Sequence, residues 1–135
     1  MAKKTTRGYR NNNPGNIRIN SDKFQGEIIP SQDKAFKQFS SMAYGYRAMF
    51  RLLGNYIRNY KLDTIDKIIH RYAPTNENHT GAYIQAVSTR TGISPEQVIS
   101  FADKETMCAL VGAMSYVENG IEPNKADIIA GWNLL

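Results

Sequence analysis

Apolar side chains recur every three or four positions from residue 41 onward, the spacing that places them on one face of an α-helix. Gly92 and Gly120 follow two of these stretches and are typical of the residue just past a helix C-terminus. The pattern predicts a series of helices, over 41–60, 64–72, 80–90, 104–119 and 125–131, with a further short helix opened by the SPEQ capping sequence of 94–97.

The first 40 residues have a different pattern. The sequence NNNPGN at 11–16 is dense in turn formers, which predicts a tight irregular loop. Short alternating pieces come next at 17–19, 24–30 and 35–39, and they predict a small β-hairpin. With no internal repeat and no linker, we expect one mainly α (α+β) domain over 1–135, of which 1–10 is a flexible, basic N-terminus.

Composition fits a single globular domain, since 41% of the 135 residues are hydrophobic and 21% are charged. The formal charge of +5 favours anionic polymers, namely nucleic acid, acidic lipid or bacterial cell wall. Cys108 is the single cysteine, so no internal disulfide forms, and no Cys/His cluster has zinc spacing. We therefore expect no metal and no cofactor.

The N-terminal sequence MAKKTTR is basic, but no apolar segment of a signal peptide comes after it. No run of about eighteen apolar residues occurs that could span a membrane. These features predict a protein made in the cytoplasm without a signal peptide or membrane span.

Glu118 is the most informative residue of the chain. It continues the apolar stripe of Met107, Val111 and Met114 along the helix of 104–119. Partial burial and the negative end of the helix dipole both disfavour ionisation there, as a general acid requires. The alternative is a solvated glutamate at a frayed helix end.

The sequence LVGAMSYVENGIEPN at 110–124 resembles the catalytic helix of lysozyme-like muramidases and lytic transglycosylases, where an apolar helix ends in Glu and is followed by Ser or Asn, Gly and Pro. In that superfamily the helix comes early and a β-hairpin lobe comes after it. Here NNPGNIR at 12–18 and GYRA at 45–48 resemble the segments after the catalytic Glu in flagellar-type peptidoglycan glucosaminidases. Their later helices are similar to IIHRYAP at 68–74 and TGAYIQAV at 80–87.

This rotated order implies a circularly permuted lysozyme-like domain. The opening of the chain also resembles small virion or prophage proteins of bacteria. By resemblance, Glu118 is the proton donor, and a second acidic residue on the β-lobe corresponds to Glu27, with Asp22 and Asp33 less well placed. The alternative for Glu27 is a strand residue that points to water.

Two polar segments are candidates for sugar binding. The sequence PTNENHT at 74–80 lies between two aromatic residues, and sugars bind to hydrogen-bonding groups and aromatic rings together. Its candidates are Tyr72, Asn76, Glu77, Thr80 and Tyr83. Asn13 and Asn16 of the Asn-rich turn complete the set, although capping and turn formation explain the same residues.

These features favour a glycosidase that cuts bacterial peptidoglycan, with hydrolysis and lytic transglycosylation both open. We expect a monomer that acts at the cell wall, delivered by virion or secretion-machine components. One alternative is a non-catalytic virion or wall-binding module of the same fold. Another is a basic nucleic-acid-binding protein, but no stacking platform or recognition helix is present, so we expect no nucleic acid partner.

Overall fold

A computed structural model describes residues 6–74 and 79–135 of the chain. In these residues a two-stranded sheet and six helices occur in the order α1 Arg7–Arg10, β1 Glu27–Ile28, β2 Gln38–Phe39, α2 Met42–Tyr60, α3 Ile65–Tyr72, α4 Thr80–Thr91, α5 Lys104–Asn119 and α6 Lys125–Asn133. The prediction of a mainly helical domain with a small β-element is confirmed.

The long helices begin and end where local signals predict. The Ser41 side chain accepts a hydrogen bond from the Tyr44 amide at the start of α2, and Asp103 accepts one from Thr106 at the start of α5. Gly120 ends α5 with a φ of 68°, a left-handed conformation that glycine adopts without steric cost. The end of α5, which carries Glu118, is therefore fixed by the sequence around it.

The hydrophobic core lies between α2 and the helices packed around it. α2 packs mainly against α6, and α4 packs against α5. Phe50 of α2 meets Trp132 of α6 edge-on, with ring centroids 5.1 Å apart. Fully buried side chains of α2, α3 and α5 fill the centre, among them Met49, Leu53, Ile65, Ile69, Leu110 and Met114.

The β-lobe is small, and an ion pair holds it together. β1 pairs antiparallel with β2, placing Glu27 opposite Phe39, and an isolated bridge joins Arg18 to Phe36. The Lys37 side chain is 0% exposed, and its Nζ lies 2.9 Å from Oε2 of Glu27. The same Nζ donates a 2.8 Å hydrogen bond to the Asp22 carbonyl, so the pair also anchors the preceding loop.

The prediction that 1–10 is flexible is wrong for the last part of that range, because Arg7–Arg10 forms helix α1. The Thr6 hydroxyl caps this helix and donates a 3.0 Å hydrogen bond to Oδ1 of Asn119 in α5. A Cβ on Gly8 would lie 2.4 Å from the same Oδ1 and 2.8 Å from the backbone carbonyl oxygen of Asn13, so only glycine fits at this contact. Long-range packing orders this segment, and local sequence does not report such packing.

The predicted short helix at 94–97 is also wrong, since this stretch forms a single turn. The Ser94 hydroxyl does accept a hydrogen bond from the Glu96 amide, as a cap would. The Pro95 carbonyl, however, accepts from Asp66 of α3, and the Ile99 amide donates to the Asp63 carbonyl. Because these backbone groups serve tertiary contacts, they cannot continue a helix.

Asp33 ties α1 to the β-lobe, and we expect this contact to depend on pH. The Arg7 guanidinium, 2.7 Å away, and the Ala35 amide hold the pKa of the Asp33 carboxyl well below its usual range. Because the pKa is lower in the folded chain, the stabilisation is complete above the unfolded value of about 3.9 and is lost as the pH falls below it.

Asp33→Asn should therefore lower the free energy of unfolding at pH 7, and the difference from the wild type should narrow below about pH 4. Urea unfolding at a series of pH values measures this difference. If the free energies of unfolding of the two proteins change in parallel with pH, the charge of Asp33 contributes nothing to stability.

Candidate functional site

A polar groove of about 490 Å³ lies between the β-lobe side of the molecule and the helices, and Glu118 forms part of its wall. We call it the Glu118 groove. Its wall also includes Asn16, Arg18, Asp22, Tyr56, Tyr60 and Arg71. It combines a half-buried carboxyl group with aromatic rings, amides and cations, the mixture that a sugar-binding site needs.

Helix α5 positions Glu118 as its sequence pattern predicts. Met107, Val111 and Met114 are fully buried on one stripe of α5, and Glu118 continues this stripe at half burial. The alternative of a solvated glutamate at a frayed end does not hold, because both carboxylate oxygens have partners within the chain. Asn16 Nδ2 donates to Oε1 at 3.0 Å, and the Tyr83 hydroxyl donates to Oε2 at 3.0 Å.

Burial raises the pKa of the Glu118 carboxyl above its usual range. The hydrogen bonds from Asn16 and Tyr83 and the charge of Arg18 act in the opposite direction, but burial dominates. The result is a carboxyl that is held in a fixed orientation and keeps its proton to higher pH than an exposed glutamate. Chemically, such a group can donate a proton to a bound molecule.

Two tyrosines surround this carboxyl in different ways. Tyr83 of α4 is buried and uses its hydroxyl on Glu118, so it orients the carboxyl. Tyr72 of α3 donates its hydroxyl to the Gly15 carbonyl and lines the Glu118 groove. Burial raises the pKa of both phenols, so both remain protonated donors.

Tyr83→Phe should raise the pKa of Glu118 further, because it removes a hydrogen bond that favours the carboxylate. A ¹³C NMR titration of the Glu118 side-chain carboxyl measures this shift directly and requires no activity. Tyr116→Phe, on α5 beside the Arg90 guanidinium, is the matched control and should leave the titration unchanged. An unchanged or lower pKa of Glu118 in Tyr83→Phe would contradict the orienting role of the Tyr83 hydroxyl.

Glu27 does not line the Glu118 groove, which corrects both interpretations of this residue. Its side chain is 6% exposed, so it does not point to water. One oxygen binds Lys37, and the other accepts a hydrogen bond from the Phe24 amide. The prediction rested on its place in the β-lobe, but the pleat of β1 directs it toward Lys37. Asp22, in the loop before β1, is an acidic residue that does line the groove.

Two of the predicted sugar-binding residues are used inside the protein. Asn13 is 0% exposed and donates to the carbonyls of Ile17 and Lys37, so it shapes the Asn-rich turn. Thr80 is buried, and its hydroxyl donates a 2.6 Å hydrogen bond to the Ala73 carbonyl. The site brings together Asn16, Tyr72 and Tyr83, while Asn76 and Glu77 lie outside the described residues.

Several groove residues were missed by sequence reasoning. Tyr56 and Tyr60 lie one turn apart at the end of α2. Tyr56 is 7% exposed and belongs to the core as well as to the groove wall, whereas Tyr60 is 56% exposed. Two hydroxyl-bearing rings at a helix end could have indicated a binding face. Arg71 of α3 carries no local signal at all, since its place in the groove depends on how α3 packs beside α2.

Another cavity, of about 460 Å³, lies between α5 and α6. Its wall is formed by small and apolar side chains such as Cys108, Gly112 and Ile128, and the ion pair of Arg90 and Glu122 lies at its edge. It lacks a buried carboxyl, so it offers no acid chemistry.

Within residues 6–74 and 79–135, no group of three or more potential metal-ligating side chains is close enough together to hold a metal ion. In the same part of the chain, no helix has the length and apolarity needed to cross a lipid bilayer.

Comparison with known proteins identifies a relative from a bacteriophage. No protein-family model matches it. It is 40% identical over 126 residues to Protein P5 of Pseudoalteromonas phage PM2, and the match covers 91% of this chain and 77% of the phage protein. Identity at this level over most of both chains indicates common ancestry, so the chain belongs to the family of Protein P5 of Pseudoalteromonas phage PM2.

Proposed function

We propose that this protein is a peptidoglycan-cleaving glycosidase of the lysozyme-like type, in circularly permuted order, with Glu118 as its general acid. One observation carries the proposal: the Glu118 carboxyl is half-buried, held on both oxygens, and lies in the wall of a polar groove. The resemblance of 110–124 to a catalytic lysozyme-like helix independently selects the same residue.

The chemistry assigned to Glu118 is proton donation to the oxygen of the bond that breaks. A glycosidic oxygen is a poor leaving group until it is protonated, so the donor must keep its proton near neutral pH. Burial raises the pKa of Glu118 in the required direction. Asn16 and Tyr83 limit the rotation of the carboxyl, which keeps the proton directed at one position.

The cationic intermediate needs a second group for its stabilisation. Either a carboxylate of the protein or the acetamido group of the substrate can supply it. Asp22 lines the Glu118 groove, and its backbone carbonyl is anchored by Lys37. Asp22 therefore replaces Glu27 as the candidate protein carboxylate. Both hydrolysis and lytic transglycosylation are compatible with this arrangement.

The shape and composition of the groove suit a glycan strand. Tyr60 and Tyr72 offer rings for the apolar faces of sugars, and Asn16 and Asn55 offer amide groups for their hydroxyls. A net charge of +5 favours approach to the anionic bacterial wall. Because the relative belongs to a bacteriophage, we propose that the protein acts at the host cell wall and reaches it with other virion components.

The direct test incubates purified peptidoglycan with the protein and identifies the released muropeptides by mass spectrometry. Release that requires Glu118 supports the proposal, and the new chain ends show which of the two glycosidic bonds is cut. If no products form with the wild-type protein, the proposed activity is wrong.

A second candidate is a non-catalytic wall-binding or virion module with the same fold. The observation that favours it is the bonding of Glu118, because its contacts with Asn16 and Tyr83 also join the N-terminal loop, α4 and α5. Such a module would bind peptidoglycan in a sedimentation assay and release nothing from it. Glu118→Gln would then change neither binding nor release.

A further inference from the structure

We propose that Arg71, with the rings of Tyr56 and Tyr60, forms a carboxylate-binding subsite in the Glu118 groove. The subsite would recognise the lactyl-peptide arm of peptidoglycan and so favour muramic-acid-containing strands over neutral polymers of N-acetylglucosamine. The identity of the polymer rests on the proposed function. The geometry of the cation and the two rings is independent of that proposed function.

The subsite lies where the ends of α2 and α3 meet. The Arg71 guanidinium carbon is 5.6 Å from the Tyr56 ring centroid and 5.7 Å from that of Tyr60. All three side chains line the Glu118 groove. Tyr60 is 56% exposed, so its ring is accessible from solvent. A ligand in the groove can therefore contact the Tyr60 ring and the cation, while the Tyr56 ring, which is 7% exposed, supports the guanidinium from the core side.

The Arg71 guanidinium contacts aromatic rings rather than any described acidic side chain. In the part of the chain that the structure describes, Arg71 forms no ion pair, and its charged group packs against aromatic rings. Two other arginines also pack against rings but differ in forming ion pairs, Arg7 with Asp33 and Arg90 with Glu122, both at 2.7 Å. Packing against rings holds a guanidinium in place without using its N–H groups on a carboxylate, so they remain able to bind an anion.

The chemistry of a planar cation beside aromatic rings selects the ligand. A guanidinium binds carboxylates through two parallel hydrogen bonds, and tyrosine rings stack on sugar rings. A chitin-like strand carries no charge, whereas muramic acid carries a lactyl group that ends in a carboxylate or in a peptide with carboxylates of its own. Arg71 therefore adds affinity only for strands that contain muramic acid.

The experiment measures dissociation constants by isothermal titration calorimetry, in the Glu118→Gln background so that no ligand is cut. The probes are chitotetraose, a peptidoglycan tetrasaccharide without peptides, and the same tetrasaccharide with its peptides. We expect Arg71→Gln to weaken binding of at least one acidic probe about tenfold or more, and of chitotetraose less than about twofold. The probe that is affected shows whether the lactyl or the peptide carboxylate is bound.

Lys67→Gln is the matched control. It removes the same charge one turn earlier on α3, from a residue that does not line the Glu118 groove, and should change no dissociation constant. Arg71→Lys should recover part of the affinity, because it restores the charge without the planar donor edge. Raising the salt concentration should weaken the contribution of Arg71. Thermal unfolding of each variant confirms that it is folded.

The subsite is overturned if Arg71→Gln weakens all three probes equally, or none of them, or if no probe binds the parent protein. Its failure can be told apart from failure of the proposed glycosidase. Glu118-dependent release without selectivity at Arg71 would refute the subsite alone. Selective binding without any release of muropeptides would refute the catalytic role alone and leave a wall-binding protein.

Discussion

Glu118→Gln should reduce muropeptide release from purified peptidoglycan by about 100- to 10,000-fold, the range that a positioned general acid contributes. Glutamine has nearly the same shape and can still accept a hydrogen bond from Asn16 Nδ2, which lies 3.0 Å from Oε1 in the wild type. Substrate binding should therefore survive while the proton is lost. Initial rates of release, compared at equal protein concentration, measure this effect.

The same substitution should not destabilise the fold, and this separates a catalytic from a structural role. Burial raises the pKa of Glu118, so the folded chain resists its ionisation more than the unfolded chain does. Stability is then highest below the unfolded pKa of about 4.3 and declines as the pH rises through the folded value. Glutamine carries no charge and so removes the cost of burying an ionised carboxyl. At pH 7 the free energy of unfolding of Glu118→Gln should therefore equal or exceed that of the wild type.

Glu122→Gln is the matched control for both measurements. Glu122 lies four positions further on, is exposed, and pairs with Arg90 on the surface. Its substitution should leave release unchanged and alter the free energy of unfolding by less than about 1 kcal/mol. Equal release by wild type and Glu118→Gln would remove Glu118 from the mechanism.

Glu27→Leu should lower the free energy of unfolding by about 3–5 kcal/mol, because it leaves the charge of Lys37 buried without its carboxylate partner. Lys37 is 0% exposed, so water cannot replace the lost contact. The same substitution frees the Phe24 amide, which adds to the cost. Urea denaturation monitored by circular dichroism measures the change.

The double variant Glu27→Leu/Lys37→Met should recover most of this loss, since neither charge then remains in the β-lobe. The recovery distinguishes an unpaired buried charge from simple loss of packing. If the double variant is less stable than Glu27→Leu, the electrostatic explanation is wrong.

Most helices could be predicted because their signals are local. The apolar stripe of α5, the Asp103 cap and the Gly120 stop all lie within or next to the helix that they define. Helix α1 has a local cap at Thr6, but the hydrogen bond from Thr6 to Asn119 that ties it to α5 is revealed by no local pattern. The turn at 94–97 has a valid cap at Ser94, but tertiary contacts of its backbone prevent the helix.

The site could be predicted only where one helix determined it. Glu118 could be placed from the stripe of α5, whereas the pairing of Lys37 with Glu27 depends on strand register and burial. The position of Arg71 in the groove arises from the packing of α3 beside α2. Contacts between distant elements carry no periodic signal, so these residues became visible only in the structure.

Hydrogen bonds between residues far apart in the chain hold the N-terminal loop against α5 and so complete the groove. Asn16 binds Glu118 across 102 positions, and the Asn119 side chain donates to the Pro14 carbonyl across 105. During translation, the N-terminal loop leaves the ribosome long before its partners on α5 are synthesised. Every nascent chain that stops short of these partners lacks the carboxyl and the wall that it completes, so the assembled groove is present only in chains whose synthesis has passed α5.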